Sequence, residues 1–391
     1  MKKFVSVLCS ICLGLFLVDA SLSLLDDSLI LAFGVHAFSA ARSLAFLVFF
    51  PVMLLTYAMI GLTPMVPKRW FLPVIFFAPA AILAMLPMVI YHFDQAQVAS
   101  WFVSLAEVVL AWWILRRVQG RFAFRWPLVP EAQLGEKTFS WGNLLGFGLG
   151  NVLVLAPAVL IYLAVCGSLA VGHFTEGFLR LQADGLVACA KTYVRGDGKT
   201  ILLMPMMHIA EPDFYAQVMK AYPPHAVILN EGVTDNEHLL EAKLDYTPAA
   251  TALGLSSQNQ QCMGMVEGAR PADVDVDVFS KPTLDFVNLV ARLYANGLDV
   301  DALKQLSRKA QNPQLEDQIV ADLLLKRNEH LLGEMQAELH RANVIVVPWG
   351  ATHMPWIAGE IEQAGFRLSS TQEFKIFNFC TVTQALAAKL E

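Results

Sequence analysis

Charge is what this chain lacks most. Only 16% of its 391 residues are Asp, Glu, Lys or Arg, against roughly 25% in soluble domains. Hydrophobic residues make up 56%, which excludes both disorder and a soluble globule throughout. Cysteine is scarce as well, six in all. Cys9, Cys12 and Cys166 lie in apolar segments. Cys189, Cys262 and Cys380 have no CxxC spacing, so a zinc knuckle and a dense disulfide framework are excluded; one disulfide is allowed and none is required. Clustered Lys/Arg are missing from the polar part of the chain, which argues against nucleic acid as a partner.

The few charges are unevenly placed. Met1 to Phe174 holds ten Lys/Arg and seven Asp/Glu, whereas Thr175 to Glu391 holds 18 and 27. We read residues 1–174 as a transmembrane region and 175–391 as a soluble domain, long enough for one well-formed core. About 20 apolar residues are needed to cross a bilayer. Four charge-poor stretches fill that length: Ser43 to Leu62, Trp70 to Phe93 with Pro73, Pro79 and Pro87, about Val98 to Leu115 with the single acid Glu107, and about Leu144 to Ala170. Prolines of this kind are tolerated in membrane helices.

A fifth span comes first: Phe4 to Val18, after Lys2 and Lys3, reads as a cleaved signal peptide or an uncleaved anchor. Ser28 to Ala41 is too short to cross and is expected as an interfacial segment or an extension of the next helix. With five crossings Lys2/Lys3, Lys68/Arg69, Arg116, Arg117, Arg121, Arg125 and Lys137 share one side, and Arg42 alone dissents. Cationic loops stay in the cytoplasm, so the soluble domain is expected outside a bacterial inner membrane, in the periplasm. Gly142, Gly146 and Gly150 recur every four residues, a stripe suited to close helix packing. The nearby Gly146-Phe-Gly148-Leu-Gly150 precedes no strand–helix unit and is rejected as a nucleotide loop. Glu107 is either a functional intramembrane acid or a carboxylate facing the bundle interior.

After Phe174 short β-rich runs alternate with amphipathic helices. Leu186 to Val194 and Thr200 to Met204 are predicted as a hairpin around a Gly-containing turn, Glu211 to Ala221 as a helix, and Ala226 to Leu229 as a buried strand. Helices are expected between Asn236 and Gln261, then an alternating segment Val274 to Phe279. Three more helices come next, at Thr283 to Ala295, Val300 to Lys309 and Gln314 to Arg341. A Val/Ile strand at Asn343 to Val347, a helix at Trp356 to Ala364 and closing strands at Phe366 to Ser370 and Lys375 to Cys380 complete the order. The architecture implied is an N-terminal α-helical transmembrane bundle and a C-terminal α/β domain with a central sheet and a helical insertion.

Ligands of α/β sheets gather at the carboxyl ends of strands. His208, Glu231 and His353 each stand just after a buried run, and together suit Zn, Mn or Co with an open position for water. The competing reading makes both histidines ordinary capping or core residues. At this point Met206-Met-His208-Ile-Ala-Glu-Pro-Asp-Phe-Tyr215, Val227-Ile-Leu-Asn-Glu231-Gly-Val, Ala272-Asp-Val-Asp-Val-Asp-Val-Phe279, Lys326-Arg-Asn328 and Gly350-Ala-Thr-His353-Met-Pro, in that order, resemble the TraB/PrgY–TIKI–GumN family. The resemblance covers about Leu186 to Glu391 and leaves the apolar half outside it.

The resemblance implies a TIKI/TraB-like α/β domain, and a metal-dependent peptidase or amidase acting outside the cell on a peptide or small molecule. The ion would be Mn or Co by preference. His208 and His353 would be metal ligands, Glu231 an acid/base or further ligand, and Arg327 an electrophilic or substrate-orienting group. Asn328 and Gly350 would support the site. The family's first G-x-x-H motif is altered, because Pro205 stands at its glycine position. That change favours a rival reading: a non-catalytic module binding a peptide or small ligand, as resemblance to PrgY implies. Asp273, Asp275 and Asp277 alternate, so on a strand they share one face, a solvated edge or a cation site, and Asp273 and Asp275 are counted with the residues supporting the site; His330 and His340 are expected at a helix surface.

Overall fold

The computed structural model describes the whole chain except residues 122–123, 242–244, 262–268, 297–305, 307–312 and 389–391. Cys262 and, apart from Leu306, the expected helix Val300 to Lys309 lie outside the described residues. The chain divides into two compact units, Met1–Leu169 and Ala170–Glu391.

The first unit is helical. Five helices are long and apolar enough to cross a membrane: α1 (Lys2–Phe33), α2 (Ser39–Leu62), α3 (Lys68–Tyr91), Phe93–Gln119, of which α4 is Ala96–Gln119, and Trp141–Phe174. α1 is the centre of the bundle: 61% of its most apolar window is buried, against 28% for α2 and 11% for α3. Val5, Cys9, Leu13 and Phe16 pack there with Phe49, Phe71 and Ile114. Ser28 to Ala41 is not simply an extension of the next helix. Ser28–Phe33 continues α1 to its end at Gly34, and only Ser39 onward belongs to α2. Asp26 explains the break, because it accepts hydrogen bonds from Phe38 N and Ser39 Oγ and ties the start of α2 to the end of α1.

Arg42, the lone cation against the charge bias, is neutralised by the buried Asp27 at 3.1 Å. Pro51, Pro73, Pro79 and Pro87 sit inside their helices. The glycine stripe does not work as expected: a Cβ at Gly146 or Gly150 would meet nothing within 4 Å. Close approach occurs instead at Gly61, where a Cβ would sit 2.5 Å from the Phe147 ring.

The second unit is an α/β domain. Its described strands run β1 (Leu179–Gln182), β2 (Gly185–Val194), β3 (Thr200–Met206), β4 (Ile209–Ala210), β5 (Val227–Asn230), β6 (Ser256–Ser257), β7 (Ala269–Pro271), β8 (Val344–Gly350) and β9 (Arg367–Asn378). The main sheet has the order β1-β2-β3-β8-β5-β7, with β9 paired to β2, and β4 and β6 form a separate pair. β3, β8, β5 and β7 are mutually parallel, while β1, β2 and β9 are antiparallel. Because both faces of the parallel part are covered, its strands are apolar runs without alternation. Ile201, Leu203, Ile345 and Val347 face helices Arg327–Leu339 and Met354–Gln363 through Leu331, Met335 and Ile357. Leu202, Met204 and Val346 face the other way, onto Phe214 and Val218 of helix Pro212–Lys220.

Two expectations are corrected. The closing strands are one strand of 12 residues, paired with β2 from Gly185↔Asn378 to Val194↔Arg367. Val274 to Phe279 is not an alternating strand: β7 ends at Pro271 and Val276–Val278 is a 3-10 turn capped by the side chain of Asp275. The five described cysteines are free thiols.

Candidate functional site

Four parallel strands end at one rim, and each runs into a polar residue there. β3 leads to His208, β5 to Glu231, β7 to Asp273 and β8 to His353. Glu231, Asp273 and His353 meet around the guanidinium of Arg327, which enters from helix Arg327–Leu339. Arg327 Nε donates to Asp273 Oδ1 at 3.0 Å and Nη2 to Asp273 Oδ2 at 2.7 Å, a bidentate fork. Nη2 also donates to Glu231 Oε1 at 2.7 Å, and Nη1 lies 3.3 Å from His353 Nε2. The cluster is largely sealed: side-chain exposure is 0% for Asp273, 5% for His353, 13% for Arg327 and 15% for Glu231. Glu231 and Arg327 therefore form its open edge.

Gly350 lets the carboxylate come close. Its N–H donates to Glu231 Oε2 at 2.5 Å, and a Cβ there would stand 3.3 Å from that same oxygen. His353 is oriented from behind, where its Nδ1 lies 2.6 Å from Asn328 Oδ1. The network sets the tautomer. Nδ1 carries the proton toward the amide oxygen, and Nε2 presents its lone pair to Arg327 and the rim. This orientation has a cost, since Asn328 Nδ2 is buried without a partner, a loss of about 1–3 kcal/mol. Burial pushes the His353 imidazole down to about 4, with Arg327 adding to the effect against the opposing pull of Glu231. At neutral pH it is an uncharged lone-pair donor. Burial opposes ionisation of Asp273, but the hydrogen bonds and charge of Arg327, helped by the Gly232 and Val274 N–H groups, outweigh it and hold the carboxyl below its ordinary range.

A π-helical segment, Ala321–Lys326, immediately precedes Arg327. Such insertions rotate the residues after them and recur at functional sites. Here Leu323 O accepts from Arg327 Nη1 at 3.3 Å, and the guanidinium lies 5.4 Å from the Trp349 ring.

Of the residues expected to form the site, Glu231, Arg327, Asn328, Gly350 and His353 come together. Asp273, counted among the supporting residues, joins them, not on a solvated edge but as the most buried acid of the cluster, because the chain leaves the sheet at Pro271 and turns it inward. Asp275 stays outside. It accepts from Thr234 Oγ1 at 2.6 Å and Asn236 N at 3.1 Å, fixing the loop after Glu231. His330 and His340 are exposed, as expected.

His208 is at the rim but not in the cluster. The chain after β3 turns directly into β4, whose pairing with β6 leaves His208 exposed and stacked on Tyr246 at 4.5 Å. Pro205 lies opposite Trp349 in the β3–β8 ladder, whereas pairing of β3 to β2 runs from Thr200 and ends at Leu203. Its missing N–H thus falls where one flank of the strand has no partner.

His353 Nε2 and Glu231 Oε1 are 3.6 Å apart, a spacing two ligands of one divalent ion can have at bond lengths near 2.1 Å. The fixed Nδ1 side of His353 is also what a metal-binding imidazole has. Against this, the edge between the two donors is taken by Arg327. Among the described residues no three His, Cys, Asp or Glu side chains are grouped to hold an ion. As placed, the residues form a guanidinium-centred site and do not fit a resident metal.

Comparison of the chain with protein-family models, curated proteins and solved structures finds no match, and the resemblance to the TraB/PrgY–TIKI–GumN family rests on its five sequence motifs.

Proposed function

We propose that this is a membrane-anchored hydrolase of amide or ester bonds, with a peptide or small molecule as substrate. The reading is carried by one observation: an uncharged, rigidly oriented imidazole, a carboxylate and a buried arginine meet at the carboxyl ends of parallel strands. Water at the open edge would lie against Glu231, which takes its proton as the new C–O bond forms. Arg327 would stabilise the charge developing on the carbonyl oxygen, and the proton then passes to the leaving amine or alcohol. With its imidazole at about 4, His353 is no stronger a base than a carboxylate, so its part is to hold water or substrate through Nε2.

The divalent ion expected from the sequence (Mn, Co or Zn) would have His353 and Glu231 as its nearest donors, but with Arg327 bonded to both the residues as placed do not fit it, and no step is drawn through one. Full-length protein in detergent, given blocked dipeptides and p-nitrophenyl esters, should show turnover that His353→Ala reduces about 100-fold, the size of loss when a group that positions water or substrate is removed. Turnover equal in both proteins would overturn the assignment. Activity that survives EDTA belongs to the chain's own groups; loss to EDTA with recovery on Mn, Co or Zn shows that an ion replaces the guanidinium.

A second reading, a non-catalytic ligand-binding module, is favoured by the saturation of the cluster, in which both oxygens of Glu231 and of Asp273 already accept hydrogen bonds.

For location we propose a multi-pass bacterial inner-membrane protein with the domain in the periplasm. The charge bias supports it, since Lys68, Arg69, Arg121, Arg125 and Lys137 fall at alternate helix ends of a five-span chain. Alkaline phosphatase fused after residue 388 should be active, and fused at Lys137 inactive. Equal signals at both positions would reject the sidedness.

A further inference from the structure

The bundle contains a second polar site that neither the hydrolase nor the binding reading uses. A cavity of about 310 Å³ opens between α1, α2, α3 and α4. Asp19 and Ser23 of α1 and Ser104 and Glu107 of α4 are among its lining. Both acids lie well inside their helices and are only 6% exposed, an expensive position for a carboxylate in a membrane protein. Two features make this more than an acidic cluster. Asp19 Oδ1 is buried with no hydrogen-bond partner. Among the described residues, the one cation lining the cavity, Arg42, is committed to Asp27, which also accepts from Ser100 and Ser104. Among the described residues the lining thus carries two acids that form no ion pair, with the charge of Arg42 shared with Asp27.

Much of the remaining lining is apolar, with Phe46, Phe77, Ile82 and Val103. A bare metal ion needs a close shell of oxygen ligands at about 2.3–2.6 Å, which a half-apolar space of this volume does not provide. An organic cation matches both kinds of lining, because a carboxylate pair takes the charge and aromatic faces attract an ammonium and its hydrocarbon body.

We propose that this cavity binds an organic ammonium ion, its charged end at Asp19 and Glu107 and its body against Phe46 and Phe77. The test uses full-length protein in detergent micelles and three probes of similar shape: phenethylammonium, 3-phenylpropanol and 3-phenylpropionate. Binding is read by equilibrium dialysis with protein-free micelles subtracted. Phenethylammonium should bind at least tenfold tighter than the alcohol and the anion, and Asp19→Asn or Glu107→Gln should abolish that preference. Equal binding of all three probes, no binding of the ammonium, or a preference unchanged in both variants would overturn the proposal. The probe comparison on the unaltered protein stands even if a variant fails to fold. His353→Ala should leave ammonium binding intact, which separates this site from the hydrolase reading.

Discussion

Arg327→Met should destabilise the α/β domain by about 3–5 kcal/mol, the usual consequence of removing one partner from a buried ion pair. For a unit of this size that is a fall in melting temperature on the order of 10 °C. The size of the effect comes from what is left behind. Asp273, with no exposed side-chain surface, loses both prongs of its fork, and Glu231 loses the donor to Oε1. Arg327→Lys keeps a charge but not the planar fork, so it should recover only part of the loss.

The sign of the pH response gives a sharper check. In the unaltered protein the Asp273 carboxyl is held below its ordinary range. Its contribution to stability is present above about pH 4 and is lost as pH falls through the depressed value. In Arg327→Met the same carboxyl is buried without a cation, its folded-state value rises, and stability returns on acidification. Between pH 7 and about 5 the variant should gain melting temperature while the unaltered protein holds steady. Asp273→Asn added to Arg327→Met should recover stability at pH 7. Two parallel pH curves, or a double variant no better than the single, would show that the guanidinium does not organise this cluster.

How much of the site is legible in the sequence depends on the kind of signal. Glu231 and His353 follow apolar runs that form buried strands, so their meeting at one rim is dictated by strand direction. Asp273 misleads because Asp273, Asp275 and Asp277 alternate as on a strand, while the actual strand β7 is only Ala269–Pro271. Asp273 lies on a bend, Asp275 caps the next 3-10 turn and Asp277 lies within it, so the period of two has no meaning. The π-helical insertion before Arg327 has no counterpart in periodicity, because its leucines fit an ordinary helix equally well. β9 reads as two strands for the opposite reason. Arg367 to Glu373 is entirely exposed, so side chains carry no hint of a strand that backbone pairing to β2 holds in place. In the bundle, the sparse charges delimit the helices. The pairing of Arg42 with Asp27 is hidden, since the two lie in different segments separated by 15 residues.

Glu231→Gln tests the chemistry apart from the architecture. Gln keeps the volume of Glu and one accepting oxygen, but Glu231 accepts from two donors on opposite oxygens, Gly350 N and Arg327 Nη2. Whichever way the amide turns, its NH₂ faces a donor, so a stability loss of about 1–3 kcal/mol is expected. If Glu231 takes the proton from water, the catalytic loss is far larger than this strain accounts for: kcat should fall about 10²–10⁴-fold with KM within a few-fold. Gly350→Ala supplies the control. Its Cβ, 3.3 Å from Oε2 and 3.6 Å from His353 Cδ2, displaces the carboxylate without removing its charge, so it should lower stability comparably and keep more of the turnover. If both variants lose stability alike and turnover alike, Glu231 holds the rim in shape and the proton goes elsewhere. If kcat collapses only in Glu231→Gln, the carboxylate is the base, and the saturated cluster must open one of its hydrogen bonds each time water is admitted.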